Sequence, residues 1–176
     1  MSNQEDAGLC RDIRQFSSRE VYVWREMVLR DDQLFSRVYR LIDYSDPSVA
    51  WHAAWVIDLA AEDHPGKLKP YVNDLIDRLP GLSSSSLKRH FTRMLLRQQI
   101  PEEKLGRMID VLFGLIKPSQ AIAVRANAIQ LLYQIARKEP DLRSELIWVL
   151  ETMLEEEQSP GIISKGRKVL ESLRRQ

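Results

Sequence analysis

The chain has 176 residues, which suits one domain with a sizeable core. Hydrophobic residues make up 44% and charged residues 29%, with only 7 glycines, and this mixture excludes a disordered or a fibrous chain. Lys and Arg number 26 against 25 Asp and Glu, a near balance that argues against a dedicated nucleic-acid binder. The second half is nevertheless basic, since residues 82–176 hold 16 of the Lys and Arg and 11 of the acids.

The same composition restricts where the protein works. Cys10 is the only cysteine, so no internal disulfide can form and an oxidising compartment is not needed. The first residues lack the basic start and the apolar run of a signal peptide. No stretch approaches the roughly 18 apolar residues of a membrane span. We therefore expect a cytoplasmic protein that does not bind a membrane.

Helix signals begin after a tail. We predict that residues 1–16 form an N-terminal tail that is at most partly ordered. A capping box of Ser17 and Glu20 then opens a helix over 18–30, and Asp31 or Asp32 caps the next one. Asp46-Pro47 starts a helix over 47–62, with proline at the first helical position, where its missing N–H costs nothing. A fourth helix is predicted over 70–79.

The second half continues the pattern without any strand signal. Four serines at 83–86 cap a helix that extends to about residue 98. Prolines or polar caps then open helices over 101–116, 120–138, 140–153 and 160–174. This gives about nine helices joined by short breaks. We predict a single all-α domain over residues 17–176.

The apolar residues also repeat along the chain. Pairs of large apolar residues recur with a nearly constant period, namely Val56-Ile57, Met94-Leu95, Leu131-Leu132 and Val169-Leu170. A second series recurs with a similar period, namely Ile42, Ile76, Ile109 and Ile147. Two interleaved series of this kind indicate a two-helix unit repeated about four times, in which each hairpin buries its apolar face against its neighbours.

Local motifs agree with such a repeat. The sequence from Asp46 to Val49, followed by Val56-Ile57, resembles the first helix of a HEAT repeat, and so does the sequence from Val124 to Ala128, two repeat periods later. Ala50 stands where the family often has arginine. The resemblance implies a HEAT-like right-handed α-α superhelix, an α-solenoid whose second helices line a concave face used mostly for binding protein and sometimes nucleic acid.

The sequence offers no constellation that would support catalysis or a metal ion. His52, His64 and His90 lack partners at the spacing of a zinc site, and one cysteine cannot complete a cluster. The segment Gly161–Gly166 has the glycine spacing of a phosphate-binding loop, but Arg167 follows where the motif needs lysine, and no strand precedes it. We predict no cofactor and no metal, and interpret the chain as non-catalytic.

The helix predicted over 47–62 carries the first candidate site residues. Asp58 lies in its apolar sequence, and a buried acid must be paired or hydrogen-bonded. Pairing with an arginine is the structural interpretation of Asp58, and a functional role is the alternative. Trp51 and Trp55 are four residues apart and lie on one flank. They either pack against the neighbouring repeat or form a partly exposed aromatic patch that binds a partner.

The helix after the serines carries a basic ridge. Arg89, Arg93 and Arg97 recur every fourth residue and therefore lie on one face. Because stacked like charges repel, we expect either acidic residues of a neighbouring helix or an anionic partner to offset them. Five basic residues could extend this surface at the C-terminal end, namely Lys165, Arg167, Lys168, Arg174 and Arg175.

These observations favour a protein-protein interaction module. We predict a scaffold or adaptor that binds another protein on the concave face, which the helices around 72–79, 105–115 and 146–153 would line. The partner could also be a nucleic acid, bound by the basic second half.

The alternative function belongs to another class. Some DNA glycosylases of the alkyl-base type combine a HEAT-like stack with an aromatic cleft and one aspartate. By this analogy of architecture alone, Trp51, Trp55 and Asp58 would form the cleft. The three arginines at positions 89, 93 and 97 would then hold phosphates.

Overall fold

A computed structural model describes residues 3–175, and this part of the chain is helical without any β-strand. The all-α class predicted from the sequence is confirmed. The chain forms two compact units, residues 1–72 and residues 73–176. The single domain over residues 17–176 stays a prediction.

The first unit contains four α-helices. They are α1 (Asn3–Gln15), α2 (Glu20–Arg30), α3 (Asp32–Arg40) and α4 (Pro47–Asp63). Short 3-10 helices follow α3 at Leu41–Asp43 and α4 at Pro65–Tyr71. Helix α4 lies at the centre of the unit and packs against α1, α2 and α3.

Side chains cap α3 and α4 where the sequence predicts, whereas α2 starts at Glu20, later than predicted, and has no side-chain N-cap. The Asp31 carboxylate accepts the first N–H groups of α3 at 2.8 and 3.1 Å. Asp46 does the same for α4 at 2.9 and 3.3 Å, ahead of Pro47. The Glu20 carboxylate accepts the main-chain N–H of Ser17 at 2.7 Å, and this hydrogen bond holds the pKa of Glu20 below its usual value. These bonds satisfy N–H groups that have no partner within the helix.

Helix α1 occupies the segment for which we predicted a tail. Leu9 and Ile13 are four residues apart on one face of α1, Phe16 follows the end of the helix, and all three are buried. The α1 backbone packs against α4. Burial of these side chains orders a segment for which we predicted no helix.

The core face of α4 consists of small and β-branched apolar residues. Five residues at helical spacing are fully buried, namely Val49, Ala53, Val56, Ile57 and Ala60. Alanines at two of these positions let the neighbouring helices approach closely. The tryptophans of α4 lie beside this face and not within it.

The second unit has six helices in two layers. They are α5 (Val72–Arg78), which starts at the boundary, α6 (Ser85–Leu95), α7 (Glu102–Leu115), α8 (Ile122–Ala136), α9 (Pro140–Glu156) and α10 (Pro160–Arg174). Helix α8 packs between α6 and α10, and α7 and α9 cover it from the other layer. Every second helix therefore belongs to the same layer, as a row of stacked hairpins requires.

Polar side chains bridge α6 and α8. Asn127 Nδ2 donates to Thr92 Oγ1 at 3.0 Å, and Gln134 Nε2 donates to the carbonyl of Leu96 at 3.3 Å. Thr92 is fully buried, and its hydroxyl accepts the bond from Asn127 while it donates to the carbonyl of Lys88 at 2.8 Å. The bonds hold the two helices in one register along their length.

The two apolar series differ in how well they predict burial. All eight residues of the first series are buried, on α4, α6, α8 and α10. In the second series Ile42 and Ile76 are buried, but Ile109 and Ile147 are only half-buried. Their preceding neighbours, Met108 and Leu146, are fully buried instead. The core register of α7 and α9 therefore lies one residue earlier than the repeat predicts.

Candidate partner-binding surfaces

The first candidate surface is the tryptophan pair on α4. The rings of Trp51 and Trp55 stack, with centroids 5.6 Å apart and planes 21° apart. Trp51 keeps 38% of its surface exposed, whereas Trp55 is half-buried. The four-residue spacing thus places the two rings together on the flank of α4, with one of them accessible to a partner.

His52 lies beside this pair. Its ring centroid is 4.6 Å from that of Trp51 and 4.4 Å from that of Phe16. Burial lowers the pKa of His52, and a hydrogen bond to the main chain of Ile13 opposes this shift. Its Nδ1 is buried and has no hydrogen-bond partner among the described residues. His52 is therefore a neutral packing residue between α1 and α4 at neutral pH, a role that depends on a helix the sequence did not indicate.

Asp58 lies deeper in the same helix. It is fully buried, and it has an interaction partner within the protein. A carboxylate with no exposed atom cannot contact a substrate. The burial of Asp58 favours its structural interpretation over a functional one.

The second candidate surface is the arginine ridge of α6. Arg89 is exposed, while Arg93 and Arg97 are half-buried. Arg97 Nη1 donates to the carbonyl of Arg93 at 3.0 Å, and both of these arginines have further partners. The ridge thus mixes one solvent-exposed cation with two that the protein already engages.

The basic residues of α10 are also partly engaged. Lys165 Nζ donates to Gln130 Oε1 of α8, and burial, followed by the like charge of Lys168, lowers the pKa of Lys165. Arg174 pairs with Glu151 of α9. Lys168 remains exposed beside a shallow recess between α8 and α10.

The third surface is a groove that sequence reasoning missed. It has a volume of about 870 Å³ and lies between the C-terminal part of α7 and the outer face of α9. Phe113 of α7 and Trp148, Val149 and Met153 of α9 supply its apolar lining. Trp148 is 66% exposed, while the other three are half-buried. We call this the α7–α9 groove.

A buried ion pair closes one end of the groove. Arg125 of α8 has only 3% of its surface exposed and pairs with Glu157, whose side chain is 7% exposed. Arg125 Nε also donates to the carbonyl of Ile116 at 2.9 Å. Ile116 and Glu157 follow the last residues of α7 and α9, so Arg125 holds the C-terminal ends of both helices together.

Glu157 is held in its charged form. Its hydrogen bond with Arg125 lowers the pKa of Glu157 most, and the main-chain N–H of Ser159, at 2.9 Å, lowers it further. A charged carboxylate with three donors around it is a strong acceptor. The ion pair therefore fixes both the α9–α10 connection and the rim of the groove.

A signal for this groove was present in the sequence. Residues 146–150 are Leu-Ile-Trp-Val-Leu, five apolar residues in succession within a predicted helix. An amphipathic helix buries only one face, so some of these five side chains must face outward. Leu146 and Leu150 are buried, which leaves Trp148 on the opposite side.

Two further kinds of site would bear on function, a cluster of metal ligands and a membrane-spanning helix. Within residues 3–175, no three His, Cys, Asp or Glu side chains come together as metal ligands. No helix in this range is long and apolar enough to cross a membrane. Gly161–Gly166 lies within α10 and not in a loop, and a Cβ on Gly166 would meet Leu154 of α9 at 3.1 Å. Packing against α9 explains that glycine.

A comparison with known families agrees with this helical architecture. A family model described as HEAT repeat domain matches residues 11–173. The match includes α2–α9, nearly all of α10 and the end of α1. No curated protein and no solved structure matches the chain significantly.

Proposed function

The chain belongs to the HEAT repeat domain family, and on this premise we propose that it is a non-catalytic scaffold or adaptor that binds another protein. The proposed binding side is that of the second helices, α5, α7 and α9. In the right-handed superhelix that the family implies, these helices line the concave face. Stacked repeats present such a face as a continuous surface.

The exposure of Trp148 carries this proposal. A tryptophan that is 66% exposed and borders an apolar groove is unfavourable in water unless a partner covers it. Tryptophan is also the residue type most enriched among the side chains that dominate binding energy. The stacked pair of Trp51 and Trp55 is proposed as a second, smaller contact.

The nucleic-acid alternative has less support. The glycosylase analogy requires an accessible aspartate, and Asp58 is fully buried. The exposed residue of the arginine ridge is Arg89, so it is the residue to alter in a test of phosphate binding. We expect no shift of labelled duplex DNA at low salt. A shift that weakens steeply as salt rises and is lost in Arg89→Glu would support nucleic-acid binding instead.

Affinity capture tests the proposal directly. The full chain, tagged and immobilised, is incubated in nuclease-treated native extract and washed over a range of salt concentrations. We expect at least one protein to be retained in an amount comparable to the bait, and equally by the Arg89→Glu variant. Capture of no protein above a tag-only control, or capture that nuclease treatment abolishes, would contradict the proposed function.

A further inference from the structure

The α7–α9 groove is shaped and charged for one kind of occupant. Its lining follows α9 from Glu145 to Glu156, a separation of about 16 Å at the helical rise per residue, and the apolar residues of α9 lie between these two acids. Three turns of a second helix have that length. The groove therefore offers an apolar track for a short helical segment.

The groove is already formed in the unbound protein. Arg125 ties the ends of α7 and α9 to each other through Ile116 and Glu157. Helix α8 supports both helices from the other layer. A partner would not have to order the groove on binding, which reduces the entropic cost of association.

Charge around the groove selects a basic partner. Glu145, Glu155 and Glu156 line it and are exposed, and none of the three forms an ion pair within residues 3–175. Lys117 is the only exposed cation among the lining residues. Glu157 and Arg125 neutralise each other, so the remaining charge is negative.

The helix ends add to this preference. The C-terminal ends of α7 and α9 meet at Arg125, and each carries the partial negative charge of a helix C-terminus. Glu155 and Glu156 lie in the last turn of α9, at the same end. A lysine or arginine of the partner would be stabilised there.

A segment bound in the α7–α9 groove is expected to be helical, because the described residues form no strand with which it could pair. Within the described residues no strand edge is available to pair with an extended peptide. A segment that enters an apolar groove must then satisfy its own backbone hydrogen bonds, and an α-helix does so internally.

We infer that the α7–α9 groove binds an amphipathic helical segment of a partner protein, about three turns long, with an apolar face against Trp148 and lysine or arginine at its ends. The inference rests on the proposed function, because it names the chemistry of the partner that the scaffold binds.

Two labelled synthetic peptides test the inference. Both have leucines along one helical face. One carries lysines at both ends, and the other carries glutamates at the same positions. Fluorescence anisotropy with the full chain at low salt should show that the lysine peptide binds at least about tenfold more tightly, since the rim of the groove is acidic.

Variants of the chain locate the binding site. Trp148→Ala should weaken binding of the lysine peptide by about tenfold or more, as loss of a central aromatic contact does. Glu156→Lys should weaken it by about threefold or more, and its surface position keeps it folded. The matched controls Tyr22→Ala and Glu171→Lys alter an exposed aromatic and an exposed glutamate elsewhere, so they should leave the affinity unchanged.

Two results would overturn the inference. Equal affinity for both peptides would contradict the preference for a basic partner. An affinity that neither Trp148→Ala nor Glu156→Lys changes would show that the peptide binds outside the α7–α9 groove. A captured protein that the Trp148→Ala bait retains as well as the unaltered chain would also overturn it, while the proposed scaffold function would stand. Failure to capture any protein would contradict the scaffold function itself.

Discussion

At the scale of single residues, the pairing of Arg125 with Glu157 is the most consequential feature. Both side chains are nearly fully buried, and a buried charge that loses its partner costs several kcal/mol. The pair joins α8 to the connection after α9, and Arg125 also binds the end of α7. Three helices therefore depend on one guanidinium group.

Glu157→Gln should make the stability of the protein less dependent on pH. The folded-state pKa of Glu157 is lowered from 4.5, so its contribution is present above that pH and is lost as the pH falls toward the lowered pKa. We expect the variant to lose about 3 kcal/mol of unfolding free energy near pH 7, and the difference from the unaltered chain to shrink below pH 4.5. Urea unfolding across this range measures it.

The neighbouring residue provides the control for that experiment. Glu156 is exposed, so Glu156→Gln should change the unfolding free energy by less than about 0.5 kcal/mol at any pH. A difference between the Glu157→Gln variant and the unaltered chain that stays constant from pH 7 to pH 3 would contradict the assignment of Glu157 as a charged, buried partner.

Only one member of this ion pair, Arg125, occupies a position that the sequence marks as special. Arg125 stands at a position where HEAT repeats often have arginine, and Ala50 stands at the corresponding position two repeat periods earlier. The partner of Arg125 could not be predicted, because Glu157 comes from an acidic run at 155–157 whose three members look alike in sequence. Only the fold distinguishes the buried glutamate from its two exposed neighbours.

At the scale of helices, α8 is the centre of the second unit. It contacts α6, α7, α9 and α10, and Leu132 on α8 is fully buried. Shortening a fully buried side chain on this central helix would leave a cavity that the surrounding helices cannot fill completely.

Leu132→Ala should therefore be strongly destabilising. We expect a loss of about 2–5 kcal/mol in unfolding free energy, from the lost transfer free energy and the residual cavity, measured by urea denaturation. Ile122→Ala is the matched control on the same helix, since Ile122 is 57% exposed, and it should change stability by less than about 0.5 kcal/mol. Similar losses in both variants would be incompatible with α8 as a central helix.

The helices themselves were largely predictable, because their starts are marked by local chemistry. Asp31, Asp46 and Ser84 accept hydrogen bonds from the first turns of α3, α4 and α6. Each of the nine predicted helices corresponds to one of α2–α10. Helix α1 was missed, although Ser2 and Glu5 have the same spacing as the capping box of Ser17 and Glu20; its packing on α4 is a tertiary contact that the sequence does not show. For the same reason the second apolar series includes Ile109 and Ile147, although tertiary packing buries their neighbours Met108 and Leu146 more completely.

At the scale of the second unit, the two layers have different surfaces. The layer of α6, α8 and α10 is joined by polar bridges such as Asn127 to Thr92 and Lys165 to Gln130. The layer of α7 and α9 leaves an apolar groove with Trp148 exposed. This difference suggests that the first layer serves stability and the second serves binding.

The sequence indicated some of the surface features of the protein and missed others. The spacing of Trp51 and Trp55 indicated that their rings meet, because i and i+4 neighbours lie on one face of a helix, and their role in partner binding stays a prediction. The sequence favoured the helices of the second layer as the binding side, but it did not single out Trp148. Which of the five apolar residues at 146–150 faces outward depends on which of them face the core. The repeat period points to Ile147, whereas the fully buried residue is its neighbour Leu146.

The central claim is that a protein partner occupies the α7–α9 groove, and site-specific crosslinking in native extract tests it most directly. Cys10 is buried, so a photoreactive label can be attached selectively to Thr152→Cys, which lines the groove, or to Ser86→Cys on α6 as the control. We predict a discrete crosslinked protein from position 152 and none from position 86. No crosslink from position 152, or the same products from both positions, would contradict the claim.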